Sequence, residues 1–160
     1  INWFIDAGVD VILFETMGHL EEIEIALETV KDLNHTIWLS LIMKDKDHIL
    51  SGHRINDVFM LADKNIDCLM LNCNTIAKTN ETLEIIKDNW INSWGVYPNL
   101  GLSEPEPDGE IEEKVQETDF RETIFKYLNM NPKIIGSCCG SSPMHIKMIK
   151  EMMKKLFLSE

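Results

Sequence analysis

Five short apolar runs alternate along this chain with segments whose apolar residues recur at helical spacing. The first run, Val9 to Glu15, is followed by a predicted helix from Leu20 to Leu33. There Leu20, Ile23, Leu27 and Val30 share one face, and Glu21 and Glu22 favour the helix start. A second run, Thr36 to Met43, leads to a helix from about Gly52 to Lys64, with Ile55, Val58, Phe59 and Ala62 as its buried stripe. The third, Asp67 to Asn72, precedes a helix near Lys78 to Asn89. Ser93 to Tyr97 is followed by a loop rich in Pro, Gly and Glu (Pro98 to Glu113), then a helix from about Asp119 to Asn129. The last run, Lys133 to Ser137, leads to a helix from Pro143 to Leu156, where Ser142 suits the N-cap and Pro143 the first helical position. Residues Ile1 to Ala7 read as the tail of a preceding helix. Runs this continuously apolar are expected where both faces of a sheet are covered, and their alternation with helices implies parallel βαβ units.

At 160 residues and 44% hydrophobic content the chain suits one domain with an ordinary core. A formal charge of −12 excludes a nucleic-acid or anionic-membrane surface, since both need a basic footprint. No apolar run is long enough for a membrane span, and no signal peptide opens the chain. The sequence begins at Ile1 and is expected to be part of something longer. Four cysteines without a secretory signal point to reduced thiols and a cytoplasmic setting.

The chemistry concentrates in Gly136-Ser137-Cys138-Cys139-Gly140. Adjacent cysteines pair poorly, because a disulfide wants Cα atoms about 5.5 Å apart and neighbours sit about 3.8 Å apart. Two thiolates at a strand end are well placed to hold a soft metal, and Cys73, at the end of another apolar run, is a third candidate. Three thiolates with no fourth protein ligand suggest a catalytic zinc with one open position. Both neighbours reach one ion only if the backbone turns, which Gly136 and Gly140 permit. Cys68 has opposite strand parity to Cys73 and is expected to face the helix layer as a structural thiol. Glu15 ends its strand on one face with Val11 and Leu13, and could pair with an ammonium group or sit solvated. Asn72, Asn99 and Thr16 are candidates to orient a substrate or to satisfy loop backbone. None of the five histidines sits at ligand spacing with another, and His145 reads as a surface or capping residue. The methionines read as core filler. The acidic run Glu104 to Glu117 reads as a solvated loop by the mouth of the fold. A dithiol redox role for Cys138 and Cys139 is disfavoured, as there is no Cys-x-x-Cys.

The stretch Gly136 to Ile146 resembles the motif of the zinc-dependent homocysteine S-methyltransferase family, as do Leu71-Asn72-Cys73, Tyr97-Pro98-Asn99 and Gly8-Val9-Asp10 through Phe14-Glu15-Thr16. These segments keep the family order along nearly the whole chain. Departures fall at Ser137 (often Gly), Ser141 and Ser142 (Thr) and Met144 (Glu), none of them a thiolate. The resemblance implies a TIM (β/α)8 barrel. Because eight units typically take about 250 residues, residues 1–160 are expected to be a single partial homocysteine-binding barrel domain comprising units four to eight, with the first three missing. It implies zinc (Zn2+) held by Cys73, Cys138 and Cys139, Glu15 as the catalytic residue in contact with homocysteine, and Thr16, Asn72 and Asn99 as further substrate-binding residues. The activity implied is methyl transfer from S-methylmethionine or S-adenosylmethionine to zinc-bound homocysteine thiolate, giving methionine. Alternatives are a family member using betaine or a methyl-cobalamin or methyl-folate donor, and a non-catalytic zinc-binding fragment. Homocysteine and a small methyl donor are thus the expected partners, without nucleic acid or membrane, and a homo-oligomer is compatible with this reading.

Overall fold

The computed structural model describes residues 1–103, 111 and 113–157. The strands are β1 (Val11–Met17), β2 (Thr36–Leu41), β3 (Cys68–Asn72), β4 (Trp94–Tyr97) and β5 (Ile134–Ile135). The helices are α1 (Asn2–Asp6), α2 (Leu20–Val30), α3 (Ile55–Ala62), α4 (Ile76–Asn89), α5 (Glu117–Asn129) and α6 (Pro143–Phe157). All strand pairings are parallel, in the spatial order β1-β2-β3-β4-β5. Chain order equals spatial order, so each of α2 to α5 carries the chain from one strand to its next neighbour on the sheet. The α/β class is as the alternation predicts.

The boundaries moved for local reasons. α4 begins at Ile76, two residues before the expected start, because the Thr75 hydroxyl accepts the Lys78 N–H and caps the helix. α3 starts later than Gly52 because residues 43–54 form a compact loop with bridges between Met43 and Ile49 and between His48 and Arg54. β1 runs two residues past Glu15, with its register against β2 slipping between Phe14 and Met17. Residues 104–110 and 112, most of the expected acidic loop, lie outside the described residues.

One face of the sheet packs on the helices. Leu39, Leu41, Leu69, Leu71 and Val96 are fully buried there with Ile23, Val58, Leu83, Ile86 and Phe120. The other, inner face carries Val11, Leu13 and Glu15 from β1, Trp38 and Ser40 from β2, Cys68, Met70 and Asn72 from β3, and Gly95 and Tyr97 from β4, as strand alternation and register require. This face curves strongly. Neighbouring strands lie about 4.8 Å apart, so in a flat sheet β1 and β4 would stand roughly 14 Å from each other. Yet the Tyr97 hydroxyl reaches a Glu15 oxygen at 3.0 Å, and the Asn72 amide of β3 reaches Thr16 of β1 at 2.7 Å. Leu13, on this concave face, remains 39% exposed.

The expected placement of Cys68 is corrected here. It is buried, but it shares the inner face with Met70 and Asn72 while its neighbour Leu69 packs on the helices. The parity argument assumed that Cys73 continues the strand. Cys73 instead adopts φ +56, in the left-handed region, and has left the alternation altogether.

Candidate metal centre

Three sulfurs converge at the C-terminal end of the sheet. The Sγ atoms of Cys73 and Cys139 are 3.4 Å apart, those of Cys138 and Cys139 are 3.7 Å apart, and all three lie within 4.8 Å of one another. Thiolates arranged tetrahedrally around one ion at about 2.3 Å would be separated by about 3.8 Å. The spacing therefore fits a single metal with little side-chain movement. The donor set fits too: three soft sulfur ligands and no carboxylate or imidazole among them suit zinc, and three protein ligands leave one tetrahedral position free.

The backbone places these sulfurs by unusual local geometry. Cys73 directly follows β3, and a non-glycine residue at positive φ costs about 1–3 kcal/mol and persists only where its surroundings hold it. The segment after β4 supplies that restraint. Cys73 N–H donates to the Tyr97 carbonyl at 3.3 Å, and Asn99 Nδ2 donates to the Cys73 carbonyl at 2.8 Å. The same segment grips the other thiols: Cys138 N–H donates to the Pro98 carbonyl at 2.8 Å, and Leu100 N–H donates to the Cys139 carbonyl at 2.9 Å. Four consecutive residues, Tyr97 to Leu100, thus bind both cysteine segments to one frame. Gly140 turns the chain at φ +77, as expected. Gly136 works differently from the expectation. Its φ is not positive; its value lies in close approach, since a Cβ there would stand 3.2 Å from Tyr97 Cβ.

Electrostatics describe a site in want of a cation. Burial, and then the neighbouring thiols Cys138 and Cys139, push the Cys73 thiol far above the ordinary range. Cys138 is also raised, chiefly by burial, against a hydrogen bond with Cys73 that lowers it. Three thiolates cannot coexist at this distance without a positive charge among them, and a divalent metal provides it while displacing the protons.

The other predicted site residues gather on the same end, in distinct ways. Glu15 is exposed and accepts the Tyr97 hydroxyl. Thr16 follows at φ +58, a rare conformation for a β-branched residue, and accepts the Asn72 Nδ2 donor through Oγ1. Asn72 is buried, and its Oδ1 accepts the Ser40 hydroxyl at 2.6 Å. Asn99 is fully buried, with Oδ1 taken by Gly101 N–H at 3.0 Å. Each of these two amides commits its Oδ1 and one Nδ2 hydrogen to protein partners in this structure. His145 stands apart from the thiols: its Nδ1 accepts the Ser142 N–H at 3.0 Å at the start of α6, and its ring meets Phe120 edge-on.

Sequence reasoning missed Tyr97, Ser40 and Asn74. Asn74 is buried and bonds the Leu41 and Asn72 carbonyls and the Met43 N–H. An Asn two residues beyond a strand end was the available signal for it. A second cluster, Asp45, Asp47 and His48, lies in the exposed loop after β2, where hydrogen bonds from Asp47 N–H and His48 hold the Asp45 carboxyl down to about 2. A cavity of about 890 Å³ bordered by Trp90, Trp94 and Lys133 opens at the opposite, N-terminal end of the strands, away from the thiols.

Comparison with known proteins agrees with this geometry. The homocysteine S-methyltransferase family profile matches residues 1–153. Homocysteine S-methyltransferase 2 of Zea mays is 29% identical over 159 residues, covering 94% of this chain and 46% of that protein. Homocysteine S-methyltransferase YbgG of Bacillus subtilis is 28% identical over 156 residues, covering 95% and 49%. The homocysteine methyltransferase MmuM of Escherichia coli in its metallated form superposes with a TM-score of 0.76 at 24% identity, covering 94% of this chain and 47% of that one. The chain spans about half the length of the curated relatives it matches. With a profile match across nearly all of its length, this chain belongs to the homocysteine S-methyltransferase family.

Proposed function

We propose that residues 1–160 form units four to eight of a TIM barrel, a partial homocysteine-binding domain, in a protein that transfers a methyl group to homocysteine to give methionine. The curved five-stranded parallel sheet, its outer strands β1 and β5, each with one strand neighbour among the described residues, and the half-length coverage of relatives support the barrel reading. The convergence of Cys73, Cys138 and Cys139 is the observation that carries the functional one. These three cysteines would hold Zn2+, in keeping with the metallated form known for the relative MmuM. When bound, zinc supplies a Lewis acid that keeps an incoming thiol deprotonated at neutral pH, whereas a free thiol ionises near pH 8.5.

The chain's own residues do the rest. Glu15 presents an exposed carboxylate on the inner face and would pair with the homocysteine ammonium, fixing the substrate by charge. Thr16 sits beside it at the mouth. Asn72 and Asn99 act through their neighbours: Asn72 braces the Glu15–Thr16 turn, and Asn99 braces Cys73. The homocysteine sulfur then attacks the donor methyl carbon in line, and a sulfonium donor departs as a neutral thioether. S-methylmethionine or S-adenosylmethionine is the proposed donor class, and cytoplasm the proposed setting. Holding the two reactants in line lowers the barrier by removing orientational freedom before the step.

The test is methyl transfer from isotopically labelled S-methylmethionine or S-adenosylmethionine to homocysteine. A protein carrying this segment together with three upstream βα units should form labelled methionine, and Cys73→Ser should abolish it. The 160 residues alone should form none. Labelled methionine from the Cys73→Ser protein would contradict the proposal.

A further inference from the structure

The sequence names Tyr97 only within the Tyr97-Pro98-Asn99 segment and gives it no role, yet its contacts reach β1, the end of β3 and the cysteine-bearing segment. It ends β4 in register with Asn72, its carbonyl accepts the Cys73 N–H, and Gly136 of the cysteine-bearing segment leaves room for its side chain. From there its hydroxyl crosses the concave face, over β2 and β3, and donates to Glu15 Oε1 at 3.0 Å. Among the described residues no basic group pairs with Glu15, so this phenol is what aims the carboxylate. One carboxylate oxygen is thereby fixed to the protein, and the rest of the group's accepting capacity stays open on the exposed side. A glutamate side chain free to rotate would have to be ordered by each incoming ligand; one already tethered would not.

We infer that Tyr97 is a positioning residue that orients Glu15 toward the ammonium group of the acceptor thiol, and so makes the site selective for an amino-bearing thiol over a plain mercapto acid. The inference rests on the proposed role of Glu15 in holding homocysteine. Tyr97 acts through Glu15: it makes no charge of its own available, and removing its hydroxyl leaves the aromatic ring in place over Gly136.

The experiment compares homocysteine with 4-mercaptobutanoate, the same thiol acid without the amino group, by calorimetric titration of the zinc-loaded protein that carries this segment together with its three upstream βα units. Tyr97→Phe should weaken homocysteine binding about tenfold, as expected for loss of a hydrogen bond to a charged group. It should leave 4-mercaptobutanoate and the zinc content unchanged. Glu15→Gln should weaken homocysteine selectively as well, and Tyr97→Phe added to Glu15→Gln should bring no further loss, because the two act in series. Equal weakening of both thiols by Tyr97→Phe would show a general structural role and overturn the inference. So would an unchanged homocysteine affinity, or losses that multiply in the double variant. Should Tyr97→Phe fail to fold, Tyr97→Leu, which also lacks the hydroxyl, takes its place with the same expected and overturning results, and retention of the preference for homocysteine in Glu15→Gln ends the inference. A wild-type protein that binds zinc but neither thiol refutes the homocysteine reading itself, and this inference with it.

Discussion

Removing the Asn99 side chain should disarm the metal centre from outside it. Asn99 is fully buried and makes two side-chain bonds, donating to the Cys73 carbonyl at 2.8 Å and accepting the Gly101 N–H at 3.0 Å. Asn99→Ala leaves both backbone groups without partners. Each unsatisfied group costs about 1–3 kcal/mol, so the metal-free protein should lose roughly 2–6 kcal/mol of stability. The more telling consequence concerns Cys73. Its left-handed backbone is held partly by that carbonyl bond, and relaxing it swings one of three sulfurs away from the others. Losing a group that orients a metal ligand typically weakens affinity 10- to 100-fold, or about 1.4–2.8 kcal/mol. Competition with a chromophoric zinc chelator reads the affinity, and urea unfolding in the presence of a chelator reads the stability separately. An Asn99→Ala protein that binds zinc within about twofold of wild type, whatever its stability, would refute the view that the Tyr97–Leu100 segment frames the thiols.

Two further outcomes follow from the inner face. Burial raises the Cys68 thiol to about 11 from an ordinary value near 9. The folded pKa is the higher, so its stabilising contribution is fully present below about pH 9 and is lost as pH rises towards 11. In chelator, wild type should therefore lose up to about 2–3 kcal/mol more stability over that window than Cys68→Ala does; parallel pH profiles would contradict the burial argument. Gly95 is hemmed in on the same face, where an added Cβ would come within 2.9 Å of Ile134 Cβ and 3.0 Å of the Ile134 carbonyl. Gly95→Ala should cost about 1–3 kcal/mol in urea unfolding by prising β4 from β5, and a neutral result would mean the edge strand yields freely.

The architecture was legible because it depends on patterns that a chain displays openly. Runs such as Cys68 to Leu71 are apolar throughout since both sheet faces bury them, and Leu20, Ile23, Leu27 and Val30 repeat at helical spacing since one helix face meets the sheet. The convergence of the cysteines was legible from their common position at strand ends. What escaped was conformation that no pattern encodes. Alternation predicts a side chain's face only while the backbone stays extended, so the positive φ at Cys73 reversed the inference about Cys68. The bulge that carries Thr16 past the expected end of β1 escaped for the same reason. Asn72 and Asn99 were found as candidates, but an amide has the same composition whether it faces a ligand or braces a neighbour, and only burial and partners separate the two. Tyr97 escaped because its partner lies 82 residues away, across a curvature that the sequence does not state.

The most direct test of the central claim is the zinc content of dialysed protein, measured by elemental analysis for wild type and for serine substitutions at each cysteine. One zinc per chain is expected in wild type and in Cys68→Ser, and none in Cys73→Ser, Cys138→Ser or Cys139→Ser. Zinc retained after Cys139→Ser, or lost after Cys68→Ser, would contradict the assignment of the three converging sulfurs as the metal site.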